Sequence, residues 1–256
     1  MEFYTLASSS GGNAALLRCG GTSVLLDAGI SARRIRQSLA ALGMTPDELD
    51  AVLVTHEHTD HVSGVATLTR QYHIPVYASR GTAALLRCES ACLRAFDAGE
   101  SFRLGALTVR SFRTSHDAAD SVDYRFDTAD GSVGALTDTG FVTRQAAEAL
   151  AGVDFLLLEA NHDVDTLRAG PYPYHLKERV LGQYGHLCNE AAADFALYCV
   201  ENGTRDILLA HLSAQNNTPD LAEYAVGRRL QAAGASVRLA VAPRDRVSEA
   251  HTVCRA

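Results

Sequence analysis

The sequence is short of several things, and each shortage excludes something. Its longest apolar runs, such as Phe155-Leu156-Leu157-Leu158 and Ala51-Val52-Leu53-Val54, fall far below the length that crosses a bilayer. The opening stretch MEFYTLASSS has no basic region followed by an apolar one, so neither a signal peptide nor a membrane partner is expected, and the reading is cytoplasmic. Cysteine occurs six times, at 19, 88, 92, 188, 199 and 254, without a CxxC pair. That spacing gives no disulfide framework, and Cys88 with Cys92, four apart on an expected helix, is too weak a pattern for a metal site. The six are expected to be reduced and mostly buried. Lysine is nearly missing, with Lys177 alone. The net charge is −7 and the pI about 5.8, so the basic footprint of a protein that holds nucleic acid by charge is absent. Divalent cations bound in a site would change that locally. No long linker, low-complexity tract or short repeat interrupts the chain. With 256 residues, 47% of them hydrophobic, a single globular domain over 1–256 is expected.

What is present is an alternation of short apolar strands and amphipathic helices. Strands are expected at EFYTLA, AALLRC, TSVLLDAG, AVLVTH, IPVYA, LTVRSFRTSH, VDYRFDT and GSVGALTDTG, with TADG as a hairpin turn. SARRIRQSLAALG has helical spacing behind a Ser31 cap. Further on, VTRQAAEALAG, NEAAADFALYCVEN and LAEYAVGRRLQAAG read as helices between the strands VDFLLLEA, DILLAHLS and SVRLAVA. Two mixed sheets packed face to face, with helices outside, fit that order.

The polar residues of interest stand where apolar runs stop: Asp27, His56, His116, Asp138, Glu159 and His211. The densest group is Val54-Thr55-His56-Glu57-His58-Thr59-Asp60-His61. Imidazole and carboxylate are ligands for Zn²⁺, Mn²⁺ or Fe²⁺. His56 and His58, two apart on an extended segment, can face one ion, and Asp60 with His61 can turn toward a second. A lone histidine at a strand end is usually structural or solvated, but the HxHxDH constellation is specific.

THEHTDH, followed in order by His116, Asp138 and His211 and preceded by Asp27, resembles the five-motif pattern of the metallo-β-lactamase superfamily. The resemblance implies an αβ/βα sandwich with a two-metal site at one edge. It implies His56, His58 and His116 on one ion, Asp60, His61 and His211 on the other, Asp138 between them, and Asp27 orienting a ligand from behind. Zn²⁺ is the first choice, with Mn²⁺ or Fe²⁺ accepted by the same donors. Asp138 stands where true β-lactamases usually carry cysteine. The sequence His61-Val62-Ser63-Gly64 lacks the Gly-Gly pair that usually follows the motif in thioester hydrolases of the glyoxalase II type. His58 departs from flavodiiron proteins, which usually have a carboxylate there. LASSSGGNAALL, LLLEANHD, GHLCNEAAA and AHLSAQNNTP are instead similar to the YycJ (WalJ) family, which resembles RNase J and the tRNA 3′-processing nucleases and is linked in part to 5′→3′ DNA exonuclease activity. That family usually reads GHLSN, and Cys188 stands at the serine. The stretch from Asp138 to His211 is too short for the β-CASP domain that RNase J-type enzymes insert.

The resemblance therefore implies a phosphodiesterase acting on single-stranded DNA or RNA ends. Two ions can activate a bridging hydroxide and stabilise phosphoryl charge. Asp60 is expected as ligand and proton acceptor. His186, held by Glu159, resembles a pair that protonates the leaving oxygen; a satisfied loop histidine is the structural alternative. Ser10, Gly11, Gly12 and Asn13 form either an anion cradle of backbone N–H groups or a flexible hairpin loop. Asn161, His162 and Ser213 are expected to line the site. His73 and His251 read as surface residues, His175 as the start of a helix, and Arg33, Arg34 and Arg36 as a solvated helix face. Two other functions use the same site: a small-molecule thioesterase or lactonase, and a non-enzymatic metal-dependent binding or regulatory protein.

Overall fold

The computed structural model describes residues 1–255. Its first half runs β1 (Glu2–Ala7), β2 (Ala14–Cys19), β3 (Thr22–Leu26), α1 (Ala32–Ala41), β4 (Ala51–Leu53), α2 (Thr59–Val62), α3 (Val65–Tyr72), β5 (Val76–Ser79), α4 (Arg80–Leu85) and β6 (Leu93–Phe96). The second half runs β7 (Ser101–Leu104), β8 (Leu107–Arg113), β9 (Val122–Asp127), β10 (Ser132–Leu136), α5 (Arg144–Leu150), β11 (Phe155–Glu159), α6 (Val164–Ala169), α7 (Tyr174–Leu181), α8 (Asn189–Glu201), β12 (Asp206–Ala210), α9 (Pro219–Ala232), β13 (Arg238–Val241) and β14 (His251–Thr252).

These strands make two sheets, ordered β14-β1-β2-β3-β4-β5-β6 and β13-β12-β11-β10-β9-β8-β7. Each half repeats one plan. Three strands in the first half, β1 to β3, and four in the second, β7 to β10, meander antiparallel, and three more in each half are added as parallel neighbours through helical crossovers. Mixed sheets with helices outside are the expected αβ/βα sandwich. β11 shows why its sequence is continuously apolar. Phe155 and Leu157 enter the core between the sheets with Phe3, Val24, Tyr124 and Phe126, while Leu156 and Leu158 enter the outer core with Phe195 and Val226 of α8 and α9. A strand covered on both faces needs no polar alternation.

The expected Ser31 cap is in place. Ser31 accepts the Arg34 N–H, and Thr143 and Thr218 cap α5 and α9 in the same way. Thr128 to Gly131 closes the β9–β10 hairpin. Three expectations need correction. Cys88 and Cys92 are not on a helix, because Leu86 turns extended and ends α4. His251 is not a surface residue: it is 3% exposed in β14, with Nδ1 3.0 Å from Asp206. The cysteines are not mostly buried: Cys19, Cys92 and Cys199 are buried, Cys88 and Cys188 are half-buried and Cys254 is exposed. His73 is exposed and His175 lies in the first turn of α7, as expected. Among the described residues, no helix is long and apolar enough to cross a membrane.

Candidate metal centre

β3, β4, β8, β10, β11 and β12 all run toward one edge of the sandwich, where a cleft outside the strand ends can form. Asp27, Asp138 and His211 each follow their strand closely and have positive φ, at 58°, 50° and 56°. Non-glycine residues rarely adopt this conformation. Three of the four that do so among the described residues lie at this edge, and such strain concentrates at functional sites. The turn takes the backbone sharply out of the sheet.

The side chains converge. His58 Nδ1 lies 3.3 Å from His116 Nε2. Asp138 stands between the groups, with Oδ1 3.7 Å from His116 Nε2 and 3.5 Å from His211 Nε2, and Oδ2 3.2 Å from His61 Nε2. Asp60 Oδ2 is 3.5 Å from His61 Nε2 and 3.6 Å from His211 Nε2. Four sets of ligand atoms lie within 4.8 Å of one another: His56-His58-His116, Asp60-His61-His211, His56-His61-Asp138, and Asp138-Glu159-His186-His211. All seven residues expected as ligands are thus in one place.

Behind them, partners fix the rings. His61 Nδ1 meets Asp27 Oδ2 at 2.7 Å, and His211 Nδ1 meets Glu159 Oε1 at 2.9 Å. An ionised carboxylate only accepts, so Nδ1 carries the proton and Nε2 is left free for a metal. His116 Nδ1 meets the Gly185 carbonyl at 3.1 Å, and His56 Nδ1 meets the Thr55 hydroxyl at 3.0 Å. Thr55 in turn donates its N–H and its hydroxyl to Asp27.

Burial and charged partners compete in setting the electrostatics. Desolvation pushes His56 and His116 down. The same desolvation opposes the charged form of His211 and His61, but carboxylates outweigh it, Asp138 with Asp60 and Glu159 at His211 and Asp138 with Asp27 at His61; His211 is raised to about 10 and His61 well above its ordinary value. Burial would raise Asp60 and Glu159, yet contacts with His211 and His61, and with His186 and His211, hold Asp60 well below the usual range and Glu159 at about 2. Within the ligand cluster, three buried atoms, His56 Nε2, His211 Nε2 and Asp138 Oδ2, have no hydrogen-bond partner among the described residues. Buried polar atoms are rarely left so. Divalent cations would satisfy all three, and the nitrogen-and-carboxylate donor set suits them.

The adjoining hollow has a volume of about 190 Å³ and is lined in part by Ser10, Asn161, His186 and Ser213. Larger hollows, of about 630 and 500 Å³, are lined by other parts of the chain and hold none of the ligand residues. His186 Nδ1 lies 2.9 Å from the same Glu159 oxygen that holds His211. Two expectations fail here. Gly11, Gly12 and Asn13 offer no free amide cradle, because their N–H groups bond the Ser9 hydroxyl, the Ser9 carbonyl and the Asp60 carbonyl. Asn13 instead props the ligand loop, with Nδ2 3.2 Å from His61 Nε2. His162 does not line the hollow. Its backbone bridges to Cys188 and its ring is buried, which lowers it to about 4.

Sequence reasoning missed the framework: Thr55, Arg179 and Asp117, and two glycines set by close approach. A Cβ on Gly29 would meet the Asp60 carbonyl at 1.6 Å, and one on Gly185 the Val180 carbonyl at 2.2 Å. The glycines were visible in the sequence, but the contacts that require them are long-range or lie across a turn.

A two-sheet sandwich with a histidine–aspartate ligand cluster at one edge defines the metallo-β-lactamase class. The model of the beta-lactamase superfamily domain matches residues 22–212. The exodeoxyribonuclease WalJ of Streptococcus pneumoniae is 38% identical over 243 residues, covering 92% of this chain and 90% of that protein. The exodeoxyribonuclease YycJ of Bacillus anthracis is 34% identical over 242 residues, covering 93% and 92%. Among solved structures, the metallo-beta-lactamase fold protein YhfI of Bacillus subtilis superposes with a TM-score of 0.75 at 17% identity, covering 96% of this chain and 98% of that one. The chain belongs to the beta-lactamase superfamily and, within it, to the YycJ/WalJ-like family.

Proposed function

We propose that the chain is a metal-dependent phosphodiesterase, an exonuclease on single-stranded nucleic-acid ends with DNA as first substrate. One observation carries this reading: His186 stands beside the ligand cluster, tied through Nδ1 to Glu159, where a leaving oxygen needs a proton. Relatives named exodeoxyribonucleases, similar over nine-tenths of the chain, support nucleic acid over a thioester. His56, His58 and His116 would hold one ion, Asp60, His61 and His211 a second, and Asp138 both, with Zn²⁺ preferred to Mn²⁺ or Fe²⁺.

When bound, such ions supply Lewis-acid activation of water and offset charge on the phosphoryl group. The chain does the rest. Asp27 and Glu159 hold His61 and His211 with Nε2 inward. Asp60 serves as ligand and accepts the proton of the attacking water. His186 donates from Nε2 to the leaving oxygen while Glu159 fixes its ring. Ser10, Asn161 and Ser213 line the approach.

The test is a parallel assay of labelled single-stranded DNA, the matching RNA and a glutathione thioester, with and without chelator. Chelator-sensitive release of nucleotides from DNA is expected. Thioester turnover without nuclease activity would overturn the reading.

A further inference from the structure

The ligand cluster faces a wall made by α7 and the segment before it, with Tyr172, Leu176, Arg179 and Val180 lining the hollow. Arg179 is the sole lysine or arginine among the described residues that line it. Its Nε donates to Asp117 Oδ2 at 2.6 Å. The other oxygen of Asp117 lies 3.4 Å from His116 Nε2. One carboxylate thus spans the ligand set and the guanidinium, fixing the fork one carboxylate away from the ligand atoms. Among the described residues, no hydrogen bond engages the two terminal nitrogens of Arg179, and 52% of its side chain is exposed. It is an oriented fork with its outer donors free.

From this geometry we infer a second phosphate-binding subsite at Arg179, which holds the phosphoryl group next to the scissile one. The inference rests on the nuclease reading. A planar fork with two free N–H groups matches two phosphate oxygens, which a lysine does not. The scissile phosphate faces the metal ligands, where bound divalent ions would already offset its charge. A cation held beyond that set therefore gains most from the neighbouring phosphate. In a chain of net charge −7, this is the permanent cation a polyanion meets in the hollow. The neighbouring group is either a 5′-terminal phosphate or the next linkage on the 3′ side. Asp117 is a positioning residue.

The experiment compares the metal-loaded wild type with Arg179→Ala and Arg179→Lys on three substrates. Bis(p-nitrophenyl) phosphate has one phosphoryl group, a 5′-phosphorylated dinucleotide has a 5′ neighbour, and a 5′-hydroxyl trinucleotide has a 3′ neighbour. Arg179→Ala should lower kcat/KM on one or both nucleotides about 10- to 100-fold more than on the single diester, mainly through KM. The nucleotide that suffers identifies the neighbour. For a 3′-labelled single-stranded oligonucleotide bound in the presence of Ca²⁺, the slope of log K against log salt should fall by about 0.7 in Arg179→Ala. Arg179→Lys should restore the slope and only part of the KM. An equal loss on all three substrates with an unchanged salt slope overturns the subsite alone. Wild-type protein that neither binds nor cleaves any oligonucleotide overturns the nuclease reading, and the subsite with it.

Discussion

Glu159→Gln keeps the shape of the side chain and removes one acceptor oxygen. In the structure, Oε1 accepts from Nδ1 of both His186 and His211 at 2.9 Å, and Oε2 accepts from the backbone N–H groups of Thr139 and Leu187 at 3.1 Å. An amide has one oxygen to offer. Whichever way it is turned, its –NH₂ group confronts two N–H donors. Each buried donor left unsatisfied costs about 1–3 kcal/mol, so stability falls by at least about 2 kcal/mol, which lowers Tm by about 4–8 °C in a chain of this size. The rings can relieve this by moving their protons from Nδ1 to Nε2. His211 Nε2 would then carry hydrogen where it must coordinate, and metal would be lost. The measurements are metal per chain by elemental analysis, Tm by calorimetry, and nucleotide release from single-stranded DNA. Expected are reduced metal, a lower Tm and a rate down at least about 100-fold. A variant with wild-type metal content, Tm and rate would refute the idea that Glu159 fixes both tautomers.

Other predictions follow from the same geometry. His186→Ala should keep its metal yet release nucleotides about 10²–10⁴-fold more slowly, and lose far less on a p-nitrophenyl diester, whose leaving group needs no proton; equal losses on both would remove His186 as the acid. Asp138→Ala should lose metal and both activities together, and a metal-replete variant would contradict its place between the ligand sets. Glu159 sits at about 2 in the metal-free fold against an ordinary 4.5, because the charge and hydrogen bonds of His186, with His211, outweigh burial. Its folded value is the lower one, so its stabilisation is complete above pH 4.5 and is lost as pH falls toward 2. Melts of metal-free protein across that window should fall more steeply for wild type than for Glu159→Gln, and parallel curves would contradict the assignment. Cys188 stands at the N-cap of α8 without a capping hydrogen bond, so Cys188→Ser should stabilise the chain by about 0.5–1 kcal/mol, read as a higher Tm; an unchanged Tm would show that the helix end gains nothing from a hydroxyl.

Legibility tracked distance along the chain. The His56–His61 loop could be read because its ligands are local and its polarity conflicts with the apolar run before it. Asp27, Asp138, Glu159 and His211 could be read because each breaks or ends a run of strand-forming residues. The same rule failed for His251. It stands in a two-residue strand and its ring is paired with Asp206, 45 positions away. The cradle alternative for the Ser10–Asn13 loop fails for a related reason. Its glycines do allow tight turns, but the carbonyl that takes the Asn13 N–H belongs to Asp60, and no local pattern announces that partner. Arg179 and Asp117 lie 62 positions apart and make a pair only because the loop after β8 and helix α7 meet over the hollow.

The backbone gives a further reason why this edge is a site and not a badly packed corner. A non-glycine residue held in the left-handed region costs of order 1–3 kcal/mol, and Asp27, Asp138 and His211 all sit there. Near them lie the orphaned atoms of His56, Asp138 and His211. Hydrophobic packing in the strands below holds the turns but cannot satisfy those atoms, because among the described residues no protein group makes a hydrogen bond to them. A ligand that meets several buried donors at once can. Metal-binding free energy then contributes to folding free energy, and the loop that looks too polar for its place becomes the part of the fold that a bound cation completes.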